Sequence, residues 1–282
     1  MVEYLAGNRL RGLSSERFVP EGFATGGDTI GTYTENGNSY KYHEFSTTGN
    51  SANFVITSGI TSVEYIIVAS GGGGASGGGG SEYGNHSGGG GAGGLLNGTS
   101  SVSAGTYNIV VGAGGASYTQ GNDSSFNSLT ALGGGRGGLG YASGATSGGS
   151  GGGGNGTNTG TSGQGHDGYG GDRGGGGGGK GSAAPSNGDG GSGFVSTISG
   201  GTSTTYSEGG GGGGQAQKTT KGSGGRGGIA QQVGELGGLD GIVVLRYISN
   251  SNLLPNVQDG SIFYETDNNK SYVLSSGTWT EL

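Results

Sequence analysis

No cysteine occurs in the 282-residue chain, so neither a disulfide framework nor a thiolate-held zinc or iron–sulfur site can be built. Proline is scarce, at Pro20, Pro185 and Pro255 only. With runs of adjacent glycine, that excludes a collagen-type Gly-X-Y chain. Charged residues make up 11% of the chain, and the 19 acids and 12 bases behind its net charge of −7 are dispersed. A broad basic groove for nucleic acid is therefore not expected. The longest apolar stretch, around Ile66-Ile67-Val68-Ala69, is far shorter than the ~18–20 residues that cross a bilayer. The opening Met1–Arg9 carries no hydrophobic signal region. Neither membrane insertion nor delivery by a standard secretion signal is expected.

Glycine takes the place of the missing types. The chain holds 80 glycines, 68 of them between residues 71 and 238, and only 28% of its residues are apolar. A conventional apolar core cannot fill such a molecule. Two readings are open for the tracts. One is a flexible linker. The other is a bundle of polyglycine II helices, left-handed, with three residues per turn and no hydrogen bonds within a helix. Because glycine has no Cβ, neighbouring helices can approach on every side and exchange N–H···O and Cα–H···O bonds. One net hydrogen bond per residue does not offset the backbone entropy lost by ordering glycine. An ordered bundle therefore has to be dense, and strands at its margins have to supply the surplus.

Strand-forming text brackets the tracts. Ser39–Phe45 alternates Tyr40 and Tyr42 with Lys41 and His43, and Asn53–Thr57 follows. Val63–Ala69 is apolar on both faces and requires cover on both. Thr106–Val111, Phe194–Ile198 and Gly241–Tyr247 are further strand segments. The chain divides into an arm at 1–35, a glycine-rich domain at 36–248 and a C-terminal piece at 249–282. That last piece reads as a three-strand meander, too small to be stable alone.

Catalytic motifs are not found. Gly174–Gly181 imitates a phosphate loop, but Gly181 follows Lys180 where serine or threonine should hold magnesium. Val110–Gly115 lacks both the third glycine and the helix of a dinucleotide turn. His43, His86 and His166 are dispersed and form no nucleophile–base–orienter set. Asp167 and Asp172 stand apart from any acidic nonapeptide of a calcium-binding β-roll. No enzyme activity, metal or cofactor is expected.

Three landmarks occur in order: Phe54–Ala69 running straight into glycine, Gly105–Gly115 ahead of Asn122-Asp123-Ser124-Ser125-Phe126, and the closing Gly241–Tyr247. Over about 39–248 this order resembles the glycine-rich domain of bacteriophage tail-fibre and adhesin proteins. The terminal segments Tyr4–Arg17 and Pro255–Leu282 are similar to short structural modules of marine tailed viruses. The expected architecture is all-β: β-sandwich-like strands bracketing a polyglycine II bundle, plus the C-terminal meander. The resemblance implies a virion surface protein that is a tail fibre or adhesin, with other virion proteins and a host cell-surface glycan or protein as partners. By analogy it also implies a homo-oligomer, with a trimer the expected state. A capsid decoration or head-fibre protein is the alternative, and a cellular adhesin or filament subunit a third reading.

A glycine lattice excludes side chains, so the segments between tracts are the expected recognition surface. There, tyrosine offers a flat apolar face with a polar tip. The receptor-binding candidates are Tyr83, Asn85, His86, Tyr141, His166, Asp167, Tyr169, Lys218 and Lys221. The virion-anchoring candidates are Tyr4, Arg9, Arg11, Phe263, Tyr264 and Trp279.

Overall fold

The computed structural model describes residues 22–49, 51–76, 86–139, 144–155, 158–170, 174–228 and 237–249, together with strand segments 262–265, 270–275 and 278–281. The chain forms two units, Gly22–Ile248 and a second made from Met1–Glu21 with Ser249–Leu282. No helix occurs among the described residues.

The first unit contains β1 (Phe23–Thr25), β2 (Thr29–Glu35), β3 (Asn38–Phe45), β4 (Ser51–Ser58), β5 (Ser62–Val68), β6 (Leu95–Ser101), β7 (Gly105–Val110), β8 (Ser124–Phe126), β9 (Leu129–Ala131), β10 (Phe194–Ser196), β11 (Thr204–Tyr206) and β12 (Ile242–Ile248). One antiparallel sheet has the order β1-β4-β7-β8-β9, a second β2-β3-β12-β5-β6, and β10-β11 is a separate hairpin. Residues 22–35, assigned from sequence to the N-terminal arm, belong to this unit. Here β1 pairs with β4, and β2 with β3. The short β1 and the polar, glycine-containing β2 lack the dense apolar pattern that marks a strand in sequence.

Alternation decides which side chains meet. Phe54, Ile56, Ile109 and Phe126 of the first sheet pack against Phe45, Val63, Ile67, Val243 and Leu245 of the second. The opposite face of the second sheet places Ile66, Val68, Leu95, Ile242 and Val244 against Ile198 and Tyr206 of the hairpin region. The predicted cover on both faces of the β5 segment is thus present: Val63 and Ile67 enter one core, Ile66 and Val68 the other.

His43 of β3 is fully buried in the first core, edge-on to Phe54 and stacked on Tyr247. Its Nδ1 lies 2.6 Å from the Gly26 carbonyl oxygen and so donates, while Nε2 has no partner among the described residues. Burial pushes the imidazole pKa below its ordinary 6.5, against the raising effect of the Gly26 bond and with nearby Lys41 lowering it further. The folded state therefore refuses a proton that the unfolded chain accepts, and stability is lost as pH falls below about 6.5. Melting temperature should fall between pH 7.5 and 5, with a slope from this one group of at most about 1.4 kcal/mol per pH unit. His43→Phe should flatten that fall; an unchanged profile in the variant would assign the pH response to other groups.

The glycine tracts are ordered on each other. Tract 69–75 leaves β5, tract 132–138 leaves β9, and tract 87–94 runs into β6. The amides of tract 87–94 donate in strict rotation. Ser87, Gly90 and Gly93 bond to Gly228, Gly225 and Gly222; Gly88, Gly91 and Gly94 to Gly138, Gly135 and Leu132; Gly89 and Ala92 to Gly175 and Gly178, all at 2.7–3.0 Å. Its carbonyls rotate likewise. Those of residues 88, 91 and 94 accept from Ala75, Gly72 and Ala69, those of 89 and 92 from Gly153 and Ser150, and those of 87 and 90 from Gly213 and Gly210. One tract is thus surrounded by six, each reached at every third residue.

This contact distance leaves no room for side chains. A Cβ on Gly90 would overlap the Gly72 carbonyl oxygen, and one on Gly88 that of Gly153. Where a tract runs out of backbone partners at the lattice margin, side-chain oxygens stand in. Asp123 Oδ1 accepts from Gly133 N, Asp240 Oδ1 from Gly114 N and Gln217 Oε1 from Arg226 N.

In the second unit, β13 (Ile262–Glu265), β14 (Lys270–Ser275) and β15 (Thr278–Glu281) pair antiparallel as the expected meander.

Candidate functional site: the far end of the glycine lattice

The registers fix a direction for every tract. The chain runs away from the sheets along 69–75, 112–116, 132–138, 149–154, 164–169, 209–213 and 222–228, and returns along 87–94, 144–148, 175–179, 188–193 and 237–241. Ser87 sits at the end remote from β6, bonded to Gly228 and, through its carbonyl, to Gly213; Gly88 bonds to Gly138 beside it. Gly154 bonds to Tyr169 at that same end. Connections between outgoing and returning tracts therefore begin and finish there, flanked by Ser76 and His86, by Leu139 and Gly144, and by Gly170 and Gly174. The segment after Gly228 starts there too.

The described side chains of this end are few. His86 is half-buried, beside the backbone of Gly174 and Gly213. Arg136 stacks on the Tyr118 ring, 4.1 Å from its centroid, while its Nε donates to the Gly144 carbonyl at 2.8 Å. Asn158 is buried and donates to the Gly154 carbonyl. Tyr169 is exposed. Among the described residues the end is thus a hydrogen-bonded backbone platform with a small number of fixed side chains.

The sequence-based candidates do not form one cluster. His86 and Tyr169 lie at the far end. His166 and Asp167 are exposed part-way along tract 164–169, and Asp167 commits Oδ1 to Gly160 N at 2.8 Å, so it serves the lattice margin. Lys218 lies on another flank, 3.6 Å from Glu208. Lys221 is close to the sheets, its carbonyl accepting from Ser207 N. Tyr83, Asn85, Tyr141, Tyr4, Arg9 and Arg11 lie outside the described residues. Phe263 and Tyr264 fall on β13 and Trp279 on β15, where only the backbone is described.

A polar cluster that sequence reading passed over lies on the outer face of the second sheet. Arg246 on β12 bridges Glu35 of β2 at 2.7 Å and Glu64 of β5 at 2.7 Å, hydrogen-bonds the Tyr33 hydroxyl and lies over the Tyr40 ring. Its signal was visible as the one charge in Ile-Val-Val-Leu-Arg-Tyr, but its partners come from strands about 180 to 210 residues earlier. Burial alone would lower the guanidinium pKa, yet the bonds from Tyr33, Glu64 and Glu35 carry it above its ordinary value. No group of three or more metal-ligating side chains occurs among the described residues.

Two sheets leading into a glycine lattice define the class. The glycine-rich domain model matches residues 46–248, and the chain belongs to that family. The match begins just after β3, although β1 to β3 complete both sheets. No curated protein matches the chain.

Proposed function

We propose that this is a non-enzymatic surface protein of a tailed virus, of the tail-fibre or adhesin type, located on the virion exterior. In this reading it binds a host cell-surface glycan or protein through the segments at the far end of the lattice. The observation that carries the reading is the convergence of those connections on one end, around tract 87–94 with its six neighbours met in rotation. We further infer that the tracts are polyglycine II helices, for which a three-residue repeat of bonding direction is the expected signature. At ~3.1 Å per residue, tract 87–94 would span about 25 Å, a stiff spacer between the sheets and a recognition end. Rigid support under variable connections is how binding loops are commonly presented.

Residues 1–21 and 249–282 would dock to other virion proteins, with the chain assembling as a homo-oligomer, a trimer by analogy. Gold-tagged antibody against the protein, viewed on native particles by electron microscopy, tests the placement. Gold at the tail tip or fibre ends is expected. Gold over the head would replace this reading with capsid decoration, and unlabelled particles would remove the virion altogether. Purified protein should also compete with the particle for host adsorption. Replacing 77–85 with a glycine–serine segment of equal length should abolish that competition without changing the melting temperature.

A further inference from the structure

The β10–β11 hairpin covers only part of the outer face of the second sheet. Thr197 donates to Glu35 at 2.6 Å, Ser199 to Glu44, and the Tyr33 hydroxyl to the Ile198 carbonyl at 3.3 Å, which ties the hairpin's turn over β2 and β3. Beyond it, toward the edge strand β6, a groove of about 170 Å³ stays open, lined among others by Glu64, Asn97, Thr99, Phe194, Ser196 and Arg246. Cross-strand register puts Glu64 opposite both Arg246 and Thr99, and Asn97 opposite Ile66.

We propose that this groove binds one neutral pyranose ring of a glycan. The argument rests on which groups are already committed. Arg246 gives Nε and Nη2 to Glu64 Oε2 and Nη1 to Glu35 and Tyr33. That leaves Glu64 Oε1 as an acceptor without a partner among the described residues. The side chains of Asn97 and Thr99 are exposed and also take no hydrogen bond there. A carboxylate oxygen, an amide and a hydroxyl thus surround a space floored by Ile66 and Ile198 and walled by the Phe194 ring. A pyranose has the matching character: hydroxyls at its edge for Glu64, Asn97 and Thr99, and a C–H face for an aromatic ring.

Charge selects against acidic sugars. One guanidinium lies between two carboxylates, so the cluster carries a net negative charge and repels a uronate or sialate. The groove lies on the sheet, separate from the far end of the lattice. The proposal therefore stands or falls independently of recognition there.

The test uses the whole chain and the methyl pyranosides of glucose, galactose, mannose and N-acetylglucosamine, followed by saturation-transfer NMR and calorimetry. At least one should bind saturably, one per chain, in the millimolar range typical of a single small contact. Asn97→Ala and Phe194→Ala should each weaken it about tenfold. Thr99→Trp, which fills the groove from an exposed position, should abolish it, while Val195→Ala, exposed on β10 and outside the groove lining, should leave it unchanged. Circular dichroism melts of each variant separate loss of the site from loss of the fold. The proposal is overturned by no saturable binding of any of the four sugars, by binding that survives Thr99→Trp in a folded protein, or by preference for methyl glucuronide.

Discussion

Gly90→Ala destabilises the protein by about 3 kcal/mol or more, while Gly170→Ala leaves it unchanged or up to about 1 kcal/mol more stable. The two substitutions are identical in chemistry and differ only in what the new methyl meets. At Gly90 it would overlap the backbone carbonyl of Gly72, which already accepts from Gly225 N. Neither backbone can yield alone, because Gly90 itself donates to Gly225 and accepts from Gly210. Making room therefore breaks bonds to three tracts at once and leaves buried amides unpaired. At Gly170, among the described residues, the methyl meets Asn158 Nδ2 and the Gly154 oxygen, both at 3.9 Å. Alanine there chiefly lowers the entropy of the unfolded chain. Guanidinium unfolding of the two variants checks the difference. Equal small effects would mean that tract 87–94 has no close neighbours.

Arg246→Met is the second large effect, expected to cost about 2–3 kcal/mol. It leaves Glu35 and Glu64 facing one another without their shared cation and withdraws a donor from Tyr33. The figure is below the ~3–5 kcal/mol for fully buried pairs, because the Glu64 side chain is 40% exposed and solvent screens it. Arg246→Lys should rescue little, since a single ammonium cannot reproduce a planar fork spanning two carboxylates.

The pH profile adds a second readout. The Thr197 hydroxyl first, and then Arg246, hold the Glu35 carboxyl below its ordinary 4.5. This stabilisation is present above about 4.5 and is lost as pH falls through the lower folded-state value. In Arg246→Met the acid limb should shrink but persist, because Thr197 remains. An acid limb of wild-type size in the variant would show that Arg246 does not act on Glu35.

Much of the sheet framework was legible in the residues. Asn53–Thr57, Val63–Ala69 and Gly241–Tyr247 are apolar and β-branched, and they form the central strands β4, β5 and β12. Edge strands were not legible. Leu95–Ser101 is mostly serine, threonine, asparagine and glycine, and becomes β6 only because β5 offers it a full ladder from Val68↔Leu95 to Ser62↔Ser101. Tertiary pairing there overrides a weak local preference.

Tract order was foreseeable as a possibility, from glycine's lack of a Cβ, but its partners were not. Nothing local to Gly88 distinguishes Gly138 from any other glycine as acceptor. The candidate site was legible to the same degree. Connections between tracts could be picked out, but Asp167 and Lys218 could be separated from His86 only by the registers that place them along the flanks.

The central claim is that the glycine tracts are an ordered, mutually hydrogen-bonded lattice, and amide hydrogen exchange read residue by residue tests it directly. The amides of Gly88–Gly94 should exchange only through global unfolding, as slowly as those of Val243–Leu245 in β12. Exchange of Gly88–Gly94 at unstructured-chain rates, with β12 still protected, would contradict it and return the tracts to flexible linkers.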